Sequence, residues 1–152
     1  MKKLVDKEQD YLIGTLAYAL YWVDESLQAS LEAAGWARMN RSRSMIMLNV
    51  TAGINRPADI ARNLGVSRQA IHQILQGMRD EEILELVADP RDKRAKIVQF
   101  SPAADAIRRD AERILIGIEQ QLEARIGKTA YKGLKQALNR NWGPVAIVAP
   151  ER

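Results

Sequence analysis

Charge is concentrated in one short segment of this 152-residue chain, residues 89–98. The charged side chains of the segment are Asp89, Arg91, Asp92, Lys93, Arg94 and Lys96. A narrow minor groove of DNA has a strongly negative potential that attracts arginine, so the cations are candidate DNA contacts. Asp92 lies two residues from Arg94 and, in an extended segment, on the same side, where it could hold the guanidinium in place. The alternative is a solvated turn whose ion pairs contribute about 0–1 kcal/mol each.

A second set of polar side chains lies upstream, on the outer face of a helix predicted over 67–79: Arg68, Gln69, His72, Gln73 and Gln76. Arginine pairs with guanine and glutamine with adenine, so this face can read base edges. The first turn of such a helix reaches the bases, which makes Arg68 and Gln69 the leading candidates, followed by His72 and Gln73. His72 is the only histidine and has no second one with which to bind a metal. Ser67 could contact a phosphate or only cap its helix.

The surrounding pattern predicts the elements that position both sets. Pro57 suits the first turn of a helix over 57–64, which Gly65 breaks. The helix capped by Ser67 runs to about Arg79 or Ile83, and its other face is apolar: Val66, Ala70, Ile71, Ile74, Leu75 and Met78. Strands over 84–87 and 96–100 flank the charged turn. A helix-turn-helix followed by a basic hairpin is a winged helix-turn-helix, which grips duplex DNA.

Helical arms are predicted on both sides of this unit. Residues 5–34 carry two apolar stripes at helical spacing and end at Gly35, and Ser42 or Ser44 caps a short helix that ends at Gly53. Ser101-Pro102 caps and begins a helix over 102–126, which Gly127 stops before a last helix over 129–141. The tail, 143–150, is apolar and expected to lie extended against another surface. Arms with this much apolar surface indicate a homodimer; the alternative is a monomer whose arms cover each other.

Composition excludes several classes of protein. The chain has no cysteine and one histidine, which excludes disulfides, thiolate ligands and a histidine-rich metal site. No apolar run approaches the ~18 residues of a membrane span, and the charges in residues 1–8 exclude a signal peptide, so a cytoplasmic protein is expected. Residues 38–98 hold 11 Lys and Arg against 7 Asp and Glu, and the rest holds 12 of each, so the net charge of +4 lies in the segment that carries the helix-turn-helix and the hairpin. No catalytic set or cofactor motif is present, and an enzyme is not expected.

In these motifs the chain resembles the MarR (multiple antibiotic resistance) family of transcriptional regulators. The family's wing pattern is matched at Asp89, Arg91, Asp92, Arg94, Ala95 and Lys96, and its Leu-Gly-Val-Ser run at 64–67. The resemblance implies a mainly α fold with a small β-hairpin wing (α+β), and a homodimer on a pseudo-palindromic operator. It divides the chain into dimerisation helices over 1–36 and 102–152 and a DNA-binding unit over 42–101, intertwined as one domain. Gly77 inside the recognition helix, Ser-Pro-Ala-Ala after the wing and the tail depart from the pattern.

The resemblance also implies a repressor released by a small aromatic or phenolic effector. The pocket candidates are Tyr18, Trp22, Trp36, Arg38, Arg43, Met45 and Met47. Aromatic and methionine side chains form an adaptable apolar pocket, and an arginine pairs with a carboxylate. The alternatives are that the apolar members are core and that the arginines hold DNA phosphates. The absence of cysteine argues against a peroxide-sensing subtype, and the single histidine argues against a zinc-sensing subtype. A winged helix without an effector, for DNA or for protein contact, remains the alternative function.

Overall fold

The computed structural model describes residues 11–149; residues 1–10 and 150–152 lie outside the described part. It is mainly α-helical with one β-hairpin, as the sequence predicts. The elements in chain order are α1 Leu12–Ala33, α2 Arg41–Thr51, α3 Pro57–Leu64, α4 Arg68–Asp80, β1 Leu84–Asp89, β2 Asp92–Phe100, a 3-10 turn Pro102–Ala104, α5 Asp105–Ile126 and α6 Lys128–Leu138. The chain forms two compact units, and the boundary between them lies within α5, after Ile116.

The core of the first unit lies beneath α4. Its most deeply buried side chains are Ile46, Ile60, Ile71, Leu75, Met78 and Val98. Three of them come from α4 at spacings of four and three, which places them on one face of the helix. Burying each aliphatic side chain contributes about 1.5–3 kcal/mol, so the inner face of α4 is held firmly and its outer face is free for other contacts. Val66, expected on the inner face, is 36% exposed because it lies in the turn before the helix.

The hairpin is longer than the sequence pattern indicates. Its strands pair antiparallel from Leu84 opposite Phe100 to Ala88 opposite Lys96, and an irregularity follows before Asp89 lies opposite Asp92. The expected strands stopped at Val87 and began at Lys96. The charged residues Asp92, Lys93 and Arg94 are therefore part of β2 and not of a loose turn, because backbone pairing extends the wing almost to its tip.

The helix ends confirm some expected caps and correct others. Ser67 caps α4 by accepting from the backbone N–H of Ala70 at 3.1 Å, and Gly65 ends α3 with a left-handed φ of 65°. The cap of α2 is neither Ser42 nor Ser44. Asn40 takes this position, and its side chain accepts from the N–H of Arg43 at 3.0 Å.

Ser101 was expected to cap the helix after the wing, and this expectation is wrong. Its hydroxyl is buried and donates instead to the carbonyl of Glu82, while its own N–H donates to the carbonyl of Ile83 at 3.1 Å. Glu82 has a φ of 55° and is the one described non-glycine residue with a left-handed conformation. Ser101 thus fixes the turn that joins α4 to the wing.

The arms are only partly covered. In α1, Leu31 is buried while Leu12 and Leu20 are 61% and 40% exposed; the expected helical residues 5–10 lie outside the described part. In the second unit, α6 is shorter than the expected 129–141, and Leu134 and Leu138 are exposed. Residues 143–149 form no helix or strand. Val145, Ile147 and Val148 are more than four-fifths exposed, so within residues 11–149 the tail lacks the covering surface that was expected.

Candidate nucleic-acid interface

The outer face of α4 carries unpaired polar side chains. Arg68, Gln69, His72 and Gln73 are all exposed, as the sequence predicts, and none bonds another residue of the described chain. Gln76 differs, because it donates to Asp80 at 2.7 Å and accepts from Arg79 at 3.1 Å. The first two turns of α4 therefore present free donors and acceptors to solvent. In its last turn the polar side chains hydrogen-bond one another.

The wing tip is shaped by two aspartates that accept from the backbone. Asp89 accepts from the N–H of Arg91 at 2.9 Å, and Asp92 accepts from the N–H of Arg94 at 3.1 Å. Each bond joins a side chain to the backbone two residues on, a turn that Asp forms readily. The expectation that Asp92 holds the guanidinium of Arg94 is wrong, since the bond goes to the backbone. The repeated Asp-x-Arg pattern is the sequence of two successive turns of this kind.

The cations of the wing are free. Arg91, Lys93, Arg94 and Lys96 are exposed, and their side chains make no hydrogen bond or ion pair with any residue from 11 to 149. Asp92 bonds a backbone N–H group, and Asp89 bonds a backbone N–H group and Arg56, so the four charges are left for an external anion. Residues 91–96 thus combine a hydrogen-bonded backbone with exposed, unpaired cationic side chains, which suits a phosphate-lined groove.

The root of the wing is bonded to the start of α3. Asp89 accepts two hydrogen bonds from the guanidinium of Arg56, at 2.5 and 3.1 Å, although 33 residues separate them. The N–H of Val98 in β2 donates to the carbonyl of Asn55 at 2.8 Å. The N–H of Arg91 and the guanidinium of Arg56 both lower the pKa of Asp89. These bonds fix the wing relative to the helix-turn-helix, so the two contact surfaces move together.

Sequence reasoning missed the residues that hold the interface in place. Arg56, Asn55 and Ser101 carry no periodic or motif signal that points to the wing. The nearest signal for Arg56 is its place before Pro57, where it becomes the residue preceding the first turn of α3. That position identifies a helix start but does not name a partner 33 residues away.

The arginines proposed for an effector pocket are already paired. Arg38 bonds Glu25 at 2.6 and 2.7 Å and Glu32 at 2.8 Å, and it lowers the pKa of Glu25. Arg43 forms a two-pronged pair with Glu81, with both bonds at 2.7 Å. A carboxylate ligand would therefore have to displace a glutamate from either side chain.

Two of the apolar pocket candidates lie at the edge of the first unit's core. Tyr18, Trp22 and Met45 are half-buried, and Trp36 and Met47 pack against buried residues. The indole N–H of Trp36 donates to Asp110 of α5 at 2.8 Å and lowers the pKa of that carboxyl group. Trp36 therefore has a structural contact of its own. The assignment of these side chains to a pocket stays a prediction.

Within the described residues, no group of three or more His, Asp or Glu side chains is placed to hold a metal ion. No helix over 11–149 is both long enough and apolar enough to cross a membrane.

Comparison with known proteins shows which family this unit resembles. Residues 45–95, which run from α2 into the wing, match the model of the MarR family. The winged helix-turn-helix of this chain is therefore similar to that of the MarR family. The resemblance seen in the wing pattern and in the Leu-Gly-Val-Ser run is thus confirmed. No curated protein matches the sequence at a significant level.

Solved structures of transcriptional regulators share the fold over most of the chain. The regulator PA4135 superposes with a TM-score of 0.67 and 16% identity, over 86% of this chain and 95% of that one. Wild-type MarR from E. coli in its apo form gives 0.65 and 16%, over 86% and 96%. The transcriptional repressor CouR, bound to a 23-mer DNA duplex, gives 0.63 and 18%, over 84% and 89%. At these identities the likeness shows the fold of the MarR-type regulators.

Proposed function

We propose that this protein is a dimeric, sequence-specific DNA-binding transcriptional regulator that acts as a repressor in the cytoplasm. The observation that carries the proposal is the pairing of two free surfaces on one compact unit. The outer face of α4 presents unbonded Arg, Gln and His side chains, and the wing presents four unpaired cations. A MarR-family match over 45–95 and a fold shared with DNA-bound CouR support the same reading.

In this proposal α4 lies in the major groove. Arg68 and Gln69 in its first turn reach base edges, and His72 and Gln73 contact the next positions, where each good bidentate pair contributes about 1–3 kcal/mol of discrimination. Ser67 already accepts from Ala70 and keeps its hydroxyl proton for a phosphate. This arrangement separates sequence reading, on α4, from backbone attachment.

The wing supplies the second contact. Arg94 enters the minor groove, where its charge meets the negative potential, and Asp92 sets the backbone from which Arg94 projects. Arg91, Lys93 and Lys96 pair with phosphates on either side. Each phosphate neutralised adds about 0.9 to the slope of log affinity against log salt, so the wing makes binding strongly salt-dependent.

A homodimer presents two recognition helices to a pseudo-palindromic operator. The exposed leucines of α1 and α6 are the surfaces proposed to be buried between protomers. The two recognition helices then lie about 34–36 Å apart, one turn of DNA. A chain reading only one half-site would lose the second set of contacts and most of the discrimination.

A small aromatic or phenolic effector is proposed to release the operator. Its contacts would come from Tyr18, Trp22, Trp36, Met45 and Met47, and a carboxylate would take Arg38 from its glutamates. Such a ligand lowers DNA affinity only by its preference for a dimer with a different helix spacing. The runner-up is a regulator with no effector, in which these side chains serve only the core.

The proposal is tested by titrating the purified protein against the duplex upstream of its own gene and a scrambled duplex, at about 50 and 200 mM salt. We expect tighter binding to the upstream duplex, with a preference that persists at the higher salt. Addition of small aromatic carboxylates and phenols should then weaken that complex. Equal and steeply salt-dependent binding to both duplexes would leave only phosphate contacts and contradict sequence-specific regulation at this site.

A further inference from the structure

We propose that Arg43 is a positioning residue that fixes the C-terminal end of the recognition helix, and that it contacts neither DNA phosphate nor effector. The inference rests on the proposed DNA-binding function, because the helix it positions is the one proposed to read bases. It assigns a role to the one ion pair that joins α2 to the end of α4 within residues 11–149.

The geometry of the pair is that of a fixed clamp. Both terminal nitrogens of Arg43 donate to Glu81, one to each carboxylate oxygen, at 2.7 Å. Parallel bonds of this kind fix direction as well as distance. The Arg43 side chain is 23% exposed, whereas Arg38, also paired with glutamate, is 44% exposed. At the other end, Asn40 accepts from the backbone N–H of Arg43 at 3.0 Å.

Gly77 provides the space that the clamp needs. A Cβ atom built at this position would lie 3.1 Å from Nη2 of Arg43, closer than ordinary van der Waals contact. Glycine is a poor helix former, and Gly77 stands in the interior of α4 with an ordinary helical backbone. Its presence there is explained by the guanidinium that crosses the helix at this point.

The charge of Arg43 also offsets the negative charge at the C-terminal end of α4. Asp80, Glu81 and Glu82 follow one another at the C-terminal end of α4. That end of a helix carries partial negative charge, so acids there are unfavourable and a cation is favourable. Arg43 places a cation against this end and lowers the pKa of Glu81. Since Glu82 then turns directly into β1, the clamp also sets where the wing begins.

The test compares Arg43→Gln and Glu81→Gln in the full-length protein. Affinity is measured for a duplex that the wild-type protein enriches from a random-sequence pool, and for a scrambled version, over a series of salt concentrations. For the enriched duplex we expect both variants to bind about tenfold more weakly, and the double variant no more weakly than either single one, as for residues acting as one unit. The slope of log affinity against log salt should equal that of the wild type.

The two alternative roles of Arg43 predict different changes in DNA affinity and in its dependence on salt. If Arg43 contacts a phosphate, Arg43→Gln lowers the slope by about 0.9, and Glu81→Gln, which frees the guanidinium, strengthens binding. If Arg43 serves only an effector, Arg43→Gln leaves DNA affinity unchanged. Either result overturns the inference. Failure of the wild-type protein to enrich any sequence would instead refute the proposed function.

Two further variants serve as controls. Arg113→Gln makes the same change in charge and also breaks an arginine–carboxylate pair, with Asp110, but this pair lies within α5 and has no bond to α4; its affinity for the enriched duplex should match the wild type. The exchanged pair Arg43→Glu with Glu81→Arg should regain most of the lost affinity, because both new charges suit their helix ends. Thermal melting of each variant verifies that it is folded. Failure of the exchanged pair to recover, with a normal melt, counts against the clamp.

Discussion

In the wing, the aspartates fix the backbone and the basic residues supply the unpaired charge. The carboxylates of Asp89 and Asp92 bond backbone N–H groups, and this leaves the side chain of Arg94 without a partner in the described chain. An arginine that projects from a fixed backbone loses less conformational freedom on binding than one on a loose loop. The wing is therefore prepared for contact before DNA arrives.

Replacing Arg94 with alanine should weaken binding to the enriched duplex about tenfold or more, because a hydrogen bond to a charged group contributes about 1.5–3 kcal/mol. The melting temperature should not change, since the side chain is exposed and unbonded. Fluorescence anisotropy titration measures the affinity. Arg140→Ala, which removes the same charge from an exposed position after α6, is the control and should bind nearly as the wild type. Equal affinities of the two variants would refute the assignment of Arg94.

Asp89 gives the wing root a dependence on pH. Its pKa is lowered by the N–H of Arg91 and by Arg56. Its folded pKa therefore lies below the unfolded value of about 3.9, and its stabilising contribution is present above about pH 4 and is lost as the pH falls through the folded pKa. Asp89→Asn should melt at a lower temperature at pH 7, with a difference that narrows below about pH 4. A difference independent of pH would contradict this, and Glu112→Gln, an exposed acid of α5, serves as control.

Residue exposure could be predicted from the sequence, but distant partners could not. The free face of α4 follows from helical periodicity, which places Gln69 and Gln73 opposite Ile71. The pairs Arg56–Asp89 and Arg43–Glu81 span 33 and 38 residues. Periodicity reports which side of an element faces water and carries no information on which element lies opposite. The exchange of a guanidinium partner for a backbone partner at Asp92 depends on the local turn, which the pattern alone left open.

At the scale of elements, sequence signals with one physical meaning were interpreted correctly. Pro57 and Gly65 bound α3 at the expected residues, because one lacks an N–H and the other adopts a left-handed φ. A serine hydroxyl can cap a helix or bond elsewhere, and of the two predicted serine caps next to the wing unit's helices only one is confirmed. Ser67 caps α4, whereas the hydroxyl of Ser101 is taken by the carbonyl of Glu82. Asn40 was overlooked as the cap of α2 because two serines follow closely.

The cap of the recognition helix can be tested separately from DNA contact. Ser67→Ala removes the acceptor for the N–H of Ala70 and should lower the free energy of unfolding by about 1 kcal/mol. Ser67→Asn, which restores an acceptor, should recover most of that loss. Chemical denaturation followed by circular dichroism measures both. No loss in the alanine variant would show that the bond at 3.1 Å contributes nothing to stability.

At the scale of the whole molecule, apolar surface remains uncovered at both ends of the described chain. The exposed side chains include Leu12, Ile13, Leu134, Leu138, Trp142, Val145, Ile147 and Val148. Exposed apolar surface of this extent is typical of surfaces through which proteins associate. Sequence periodicity predicted the arms, and a second copy of the chain is the surface proposed to cover them.

Dimerisation is tested by placing charges on α6. Leu134→Glu with Leu138→Glu should shift the protein towards monomer, because burying each leucine contributes about 1.5–3 kcal/mol. Deletion of residues 129–152 should give a monomer or an insoluble chain. Light scattering measures the mass, and Lys132→Glu with Gln136→Glu, at exposed polar positions of the same helix, is the control. A stable dimer of the deleted chain would show that the C-terminal arm is dispensable.

The central claim is that a dimer of this chain reads a DNA sequence through α4. The measurement that tests it most directly is selection of binding sites by the full-length protein from a random-sequence duplex pool. We expect enrichment of two inverted half-sites whose centres lie about 10 base pairs apart. The Gln69→Ala variant should relax one position in each half-site. Absence of any enriched sequence, with binding that depends only on salt, would contradict the account.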